Sequence, residues 1–369
     1  LSYCILQPNP RYQPRLLLHL TRDSATVTKD TPANCGRLGQ PQEYRYVKGF
    51  AALLAILVSL TCQADTSPLP SWQNTASRQA IIAFVERVTS PSSPDHVEPS
   101  ARIAVFDNDG TLWAEQPLYT QLLFVADRIQ AQADDNPTWQ TQEPFASVLK
   151  GDLAGAFSSS HEAPIQLVRA SQTGLDTDTF DQTVRDWMHT ARHPTTNKPF
   201  TGMVYQPMLE LLTYLEENGF KNFIVSGGGI DFMRPWTEAV YGIPPERVVG
   251  SRVSKHLEVH DGVVRVMHEG TLEFNDDKEG KPLGISQHIG RRPIAAFGNS
   301  DGDLQMLQWT TAGEGPRLGV IIHHTDAERE WAYDRDSAIG TLNEALNQAP
   351  QRGWTVVDMK QDWKQVFPD

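Results

Sequence analysis

Two hydrophobic rhythms alternate along this chain. Short runs rich in Val, Ile and Phe occur at 103–106, 222–226, 294–297 and 318–322, with another near 355–358. They are too short and too β-branched for helices and read as buried strands. Between them lie stretches with apolar residues at helical spacing: 77–88 (Ala80, Ile81, Phe84, Val85, Val88), 208–217 and 232–241. Strands alternating with helices predict an α/β fold, a parallel sheet of βα units. From Trp113 to about Pro199 the strand signal vanishes, and helices are predicted at 115–132, 164–172 and 179–190. The stretch 249–266 reads as short strands around Asp261-Gly262, a hairpin signal that leaves no room for a second large insert.

Chemistry gathers where the predicted strands end. Behind the first run stands Asp107-Asn108-Asp109-Gly110-Thr111-Leu112. Residues i and i+2 of a strand point the same way, so Asp107 and Asp109 leave the sheet edge side by side. Such carboxylates repel unless a cation or a proton lies between them. The pair suits a hard divalent ion, with one carboxylate as nucleophile and the other as acid and base. The second run ends in Ser226-Gly227-Gly228-Gly229, a hydroxyl followed by glycines whose backbone N–H groups can approach an anion. Lys278 and Lys281 offer a cation near a helix start, with Pro282 at its first position. The third run is followed by Asn299-Ser300-Asp301-Gly302-Asp303, an acidic turn leading into a helix.

Asp, then Ser, then Lys, then an acidic turn, in that order over roughly 103–322, resembles the haloacid dehalogenase superfamily, and its phosphoserine-phosphatase branch in particular. The resemblance implies a Rossmann-like three-layer αβα core, 65–113 with 200–369, and a helical cap at 114–199 that closes over the site. It implies Asp107 as nucleophile, forming an aspartyl-phosphate, and Asp109 as proton donor and later base. Ser226, Gly227 and Lys281 would bind the phosphoryl group, with Lys281 preferred to Lys278. Mg²⁺ would be held by Asp107, the backbone carbonyl of Asp109, Asn299 and Asp303, the last directly or through water. Asp301 is a further candidate ligand or a helix cap. One departure stands out: relatives carry Asp where this chain has Asn299. An acid two residues after the nucleophile favours phosphomonoester hydrolysis over dehalogenation. The expected activity is therefore Mg²⁺-dependent hydrolysis of small phosphate esters. The alternatives are a phosphotransferase of the same fold and a non-catalytic phosphate-ester binding protein, the latter favoured by Asn299.

Among the remaining residues, the insert aromatics Trp113, Tyr119, Trp139 and Trp187 read as its own core, or as a wall for a cationic head group. Glu115 and Gln116 lie at the entry to the insert, where they either touch substrate or do not. His323 and His324 point opposite ways on a strand and read as packing, and Arg291-Arg292 as a solvated turn.

Charge and composition narrow the partners and the compartment. The formal net charge of −13 argues against a nucleic-acid partner. Lys48, an apolar stretch and Ala64 compose a signal peptide over 47–64, too short for a membrane span, which implies export to a bacterial periplasm. Residues 1–46 are then expected to be translated upstream sequence, with Val47 as initiator; an uncleaved anchor is the rival reading. Cleavage after Ala64 leaves 25 basic against 42 acidic residues, a balance of −17. It also removes all three cysteines, at 4, 35 and 62, and with them any thiol chemistry.

Overall fold

The computed structural model describes residues 68–160 and 162–369. The expected leader at 47–64, the segment 1–46 and the three cysteines lie outside the described residues. Helix α1 (Ala76–Thr89) precedes strand β1 (Ile103–Phe106). Five helices follow: α2 (Thr120–Ala131), α3 (Phe145–Leu149), α4 (Leu153–Ser158), α5 (Ala163–Gln172) and α6 (Thr177–Thr190). Next come α7 (Gln206–Glu217), β2 (Lys221–Gly229), α8 (Ile230–Tyr241) and a hairpin of β3 (Val248–His260) and β4 (Val263–Phe274). The chain continues through α9 (Gly280–His288), β5 (Ala295–Gly298), α10 (Leu304–Thr311), β6 (Leu318–Thr325) and β7 (Ala332–Tyr333). It ends with α11 (Glu344–Arg352), β8 (Thr355–Asp358) and α12 (Met359–Asp362).

The sheet runs β4-β3-β2-β1-β5-β6-β7, with β8 also paired to β6. Strands β3, β2, β1, β5, β6 and β8 are mutually parallel, and β4 and β7 are antiparallel additions. Alternation along the strands builds two cores. Ala104, Phe106, Ile224, Phe297 and Val320 face one layer with α1, α7 and α8, whereas Ile103, Val105, Val225, Ala296 and Ile321 face α9, α10 and α11. This is the expected three-layer αβα arrangement. Phe106 and Phe297 stack at 4.4 Å across paired strands and fix the register between β1 and β5.

The chain leaves β1 in one direction to reach β2 and returns on the other side as β5. The C-terminal end of β1 is therefore the topological switch point, where open α/β sheets bind ligands.

Three expectations are corrected in detail. The helix expected from 115 begins at Thr120, because Pro117 would remove a ladder hydrogen bond and clash within a helix. Pro282 stands third in α9, not first, still among the residues whose N–H needs no helical partner. The hairpin strands are long, 13 and 12 residues, turning at Asp261 (φ 51°) and Gly262 (φ 77°). Strand β4 packs against α5 and α6, so the hairpin joins the helical insert in covering the sheet edge. No helix among the described residues is long and apolar enough to cross a membrane.

Candidate active site

Asp107 takes its backbone position from the sheet: its N–H donates to Phe297 O, extending the β1–β5 ladder by one residue. The chain then turns sharply at Gly110 (φ +77°), where a Cβ would strike the side chains of Asn299 and Glu115. Buried polar contacts brace this turn. Tyr241 donates its hydroxyl to Asn108 Oδ1 at 3.1 Å, and His324 Nε2 lies 2.8 Å from Gly110 O. His324 also meets Glu330 at 3.1 Å and stacks on Tyr333, so it packs against the turn as expected, while half-buried His323 faces Asp334.

Lys281 is 2 % exposed, and its Nζ donates to Asp107 Oδ1 (2.5 Å), Asp303 Oδ1 (2.6 Å) and Val225 O (2.9 Å). Lys278 is exposed, with its backbone in the left-handed region (φ 52°), so Lys281 is the lysine at the site. Burial alone would lower the Lys281 pKa, but the ion pairs to Asp107 and Asp303 overcome it and raise the value. Burial, with Asp303 nearby, pushes the Asp107 carboxyl well above its ordinary range, and Lys281 pulls against that rise.

Asp109 is also raised by burial, and the hydrogen bond from Trp113 Nε1 to its Oδ1 (2.8 Å) opposes the rise. Ser226 is buried, and its Oγ accepts the Gly228 N–H at 3.1 Å, which leaves the hydroxyl hydrogen to donate. The β2–β3 register slips between Ser226 and Gly229, so Gly227 and Gly228 form a bulge. Of the glycine amides, that of Gly229 is taken by Gln121 Oε1 (2.7 Å), a direct link from α2 to the core.

The acidic turn differs from expectation. Asp303 is fully buried, with Oδ1 on Lys281 and Oδ2 accepting the N–H groups of Asn299 (2.9 Å) and Ser300 (3.1 Å). It anchors the lysine and folds the turn, and does not face the cavity. Asp301 caps a different helix from the one expected: it accepts from Asn343, Glu344 and Ala345 at the start of α11. Asn299 donates Nδ2 to Glu115 Oε1 (2.7 Å) and accepts Thr111 Oγ1 at its Oδ1 (3.1 Å).

Glu115 is the residue that sequence reasoning left open. It is 2 % exposed, accepts Tyr333 OH at 2.8 Å, and shares the cavity with Asp107 and Asp109. Burial and then, beyond its hydrogen bonds, the charges of Asp109 and Asp107 hold its carboxyl well above the usual range. Its offset from Asp107 was the available signal; Tyr333, brought in by an antiparallel edge strand, carried none.

The cavity holds about 420 Å³ and runs from Asp107, Asp109, Ser226 and Lys281 outward between α5 and the hairpin. Leu122, Ile165, Val168, Phe232, Val253 and Leu272 give it an apolar outer wall. Of the four insert aromatics, Tyr119 lines it. Trp113 stacks on Trp236, Trp139 on Phe145 and Trp187 on Phe200, so these three serve as packing and form no wall for a cationic head group.

The carboxylates of Asp107 and Asp303 thus meet one lysine, and those of Asp109 and Glu115 lie in the same largely buried region. That excess of negative charge and the hard oxygen donors fit a divalent cation. Among the described residues no group of three or more His, Cys, Asp or Glu side chains is placed to hold a metal ion by itself. Mg²⁺ does not require one, since it keeps several waters and binds through one or two carboxylates plus substrate phosphate.

Residues 104–308 match the family model of haloacid dehalogenase-like hydrolases, and the chain belongs to that family. No curated protein matches the chain. Among solved structures, it is similar to a protein of unknown function from Bordetella pertussis Tohama I, at 15 % identity over 70 % of this chain and 98 % of that one, TM-score 0.44. A functionally unknown protein from Anaerococcus prevotii DSM 20548 matches at 17 % identity over 74 % and 88 %, TM-score 0.42. A probable phosphoserine phosphatase from Vibrio cholerae matches at 16 % identity over 76 % and 75 %, TM-score 0.35.

Proposed function

We propose that this protein is a Mg²⁺-dependent phosphomonoesterase of the phosphoserine-phosphatase-like branch, working through an aspartyl-phosphate on Asp107. The observation that carries the reading is the pair Asp107 and Asp109 at the switch point, opening into one cavity with Ser226 and Lys281. In the first step an Asp107 oxygen attacks phosphorus in line. The ester P–O bond breaks, and the leaving oxygen takes the proton of Asp109. Burial favours that protonated form of Asp109. In the second step the Asp109 carboxylate takes a proton from water, whose oxygen attacks phosphorus and frees Asp107 and inorganic phosphate. Lys281 and the Ser226 hydroxyl hold the phosphoryl oxygens as charge develops on them. Mg²⁺ would be held by Asp107, the Asp109 carbonyl and Asn299, with Asp303 contributing through Lys281, and would neutralise phosphoryl charge. The apolar outer wall supports small esters with an apolar body as substrates. The pattern at 47–64 supports export to the periplasm, to be tested by N-terminal sequencing of the secreted chain.

A phosphate-release panel with p-nitrophenyl phosphate and small phosphate esters, with and without Mg²⁺, tests the activity. Release that needs Mg²⁺, stops with EDTA and falls by several orders of magnitude in Asp107→Asn is expected. Turnover at the wild-type rate in Asp107→Asn overturns the mechanism, and no release from any ester overturns the activity.

A further inference from the structure

Position 299 lies at the sheet edge beside the carboxylate pair and is neutral. It directly follows strand β5, which adjoins β1, and its side chain lies against Gly110 in the turn that carries Asp109. Its Nδ2 reaches Glu115 Oε1 at 2.7 Å and its Oδ1 receives Thr111 Oγ1 at 3.1 Å. Thr111 donates to the amide oxygen and Glu115 accepts from the amide nitrogen, so these two contacts set which way the Asn299 amide is turned. An acid at 299 would place two carboxylates in direct contact there. The surroundings of Glu115 are equally specific. Tyr333 OH donates to the same oxygen at 2.8 Å, and Gly340 (φ +67°) passes so close that a Cβ would overlap it. The Gly340 N–H is in turn held by Tyr119 OH at 3.4 Å. Two separate segments thus enclose Glu115, while Lys281, the buried lysine of the site, contacts Asp107 and Asp303.

We infer that Glu115 carries the negative charge that position 299 lacks, and that it orients Asn299 so that the two residues together serve the Mg²⁺ site. This rests on the reading that the site holds Mg²⁺. Glu115 is a positioning residue: it acts through Asn299 and through its charge. On this inference the pair Glu115 and Asn299 carries one negative charge between them. The neutral Asn299 is then no sign of a dead site.

Calorimetric titration of Mg²⁺ into the full-length protein, stripped with EDTA, tests this without any turnover. Glu115→Gln should weaken Mg²⁺ by about 10- to 100-fold, the range for residues that support metal ligands. The exchange variant Glu115→Gln/Asn299→Asp, which returns the acid to position 299, should recover most of that loss. Wild-type affinity in Glu115→Gln overturns the inference, and so does an exchange variant no tighter than Glu115→Gln. Should Glu115→Gln fail to fold, Tyr333→Phe decides. It removes a donor to Glu115 and leaves the charge, so affinity should hold; a loss as large as that predicted for Glu115→Gln would assign the effect to packing and overturn the charge argument. A wild type that binds Mg²⁺ but hydrolyses no ester sinks the phosphatase reading alone, whereas one that binds no Mg²⁺ overturns both.

Discussion

The indole Nε1 of Trp113 donates to Asp109 Oδ1 across 2.8 Å, four residues along the same turn. The indole is locked by stacking on Trp236 at 4.5 Å and is almost wholly buried. It therefore restrains the proposed acid and base while stabilising its charged form. Trp113→Phe keeps the ring packing and removes the bond. The Asp109 pKa should then climb further, because a hydrogen bond to a carboxylate lowers it. The alkaline limb of the kcat/KM profile, where the acid loses its proton, should move to higher pH, and kcat should fall by about tenfold or more. An unshifted limb would detach Asp109 from that step.

Lys281 joins two buried acids, and its loss should be felt twice. Lys281→Ala leaves Asp107 and Asp303 without their cation, a change that typically costs about 3–5 kcal/mol. In the proposed mechanism it also takes a positive charge from beside the phosphoryl group, which every ester shares, so all substrates should slow alike. Thermal melts and the ester panel check both. The exposed Lys278→Ala should change neither, and a larger effect there would reassign the lysine.

The cavity wall should govern selectivity. Ile165 and Val168 on α5 line the outer cavity. Ile165→Trp should lower kcat/KM for bulky esters relative to small ones by about tenfold or more, since single apolar groups in a pocket carry effects of that order. Trp139→Phe and Trp187→Phe lie outside the cavity lining and should leave the ranking unchanged. A ranking that follows Trp187 and ignores Ile165 would mean that the substrate lies elsewhere.

The sheet was legible because its strands are buried on both faces and read as unbroken apolar runs, and the acids at their ends could be counted. Asp107, Asp109, Ser226 and Lys281 converge because each follows or faces a strand of known direction. What stayed hidden depended on pairing across long sequence separations. Tyr333 reaches Glu115 over 218 residues, and Asp301 caps a helix more than 40 residues on. The hairpin strands were read short because Val259, Val263 and Val264 are exposed, and no buried alternation marks their length. Asp303 was assigned to metal by its position in the motif, although its second oxygen is used by the turn itself.

Asp276 offers a test that is independent of the chemistry. It is fully buried, neither carboxyl oxygen has a hydrogen-bond partner, and burial pushes its pKa up to about 8 from the ordinary 3.8. Lys281 and Arg252 draw that value down, and Asp107 and Asp277 push it up. Between those two values the folded chain binds more protons than the unfolded one, so stability falls as pH rises through this window. Below pH 3.8 both states hold the proton and the contribution is whole; above about pH 8 it is lost. Asp276→Asn cannot ionise and removes this dependence. Its advantage over wild type in denaturant melts should grow between about pH 5 and pH 8.5 and reach a few kcal/mol at most, since each pKa unit is worth about 1.4 kcal/mol. The site has a second acid whose charge would repel Asp276, so the growth should be smaller in an Asp107→Asn background. An advantage that stays constant with pH would mean that Asp276 is ionised throughout and has a partner for its charge.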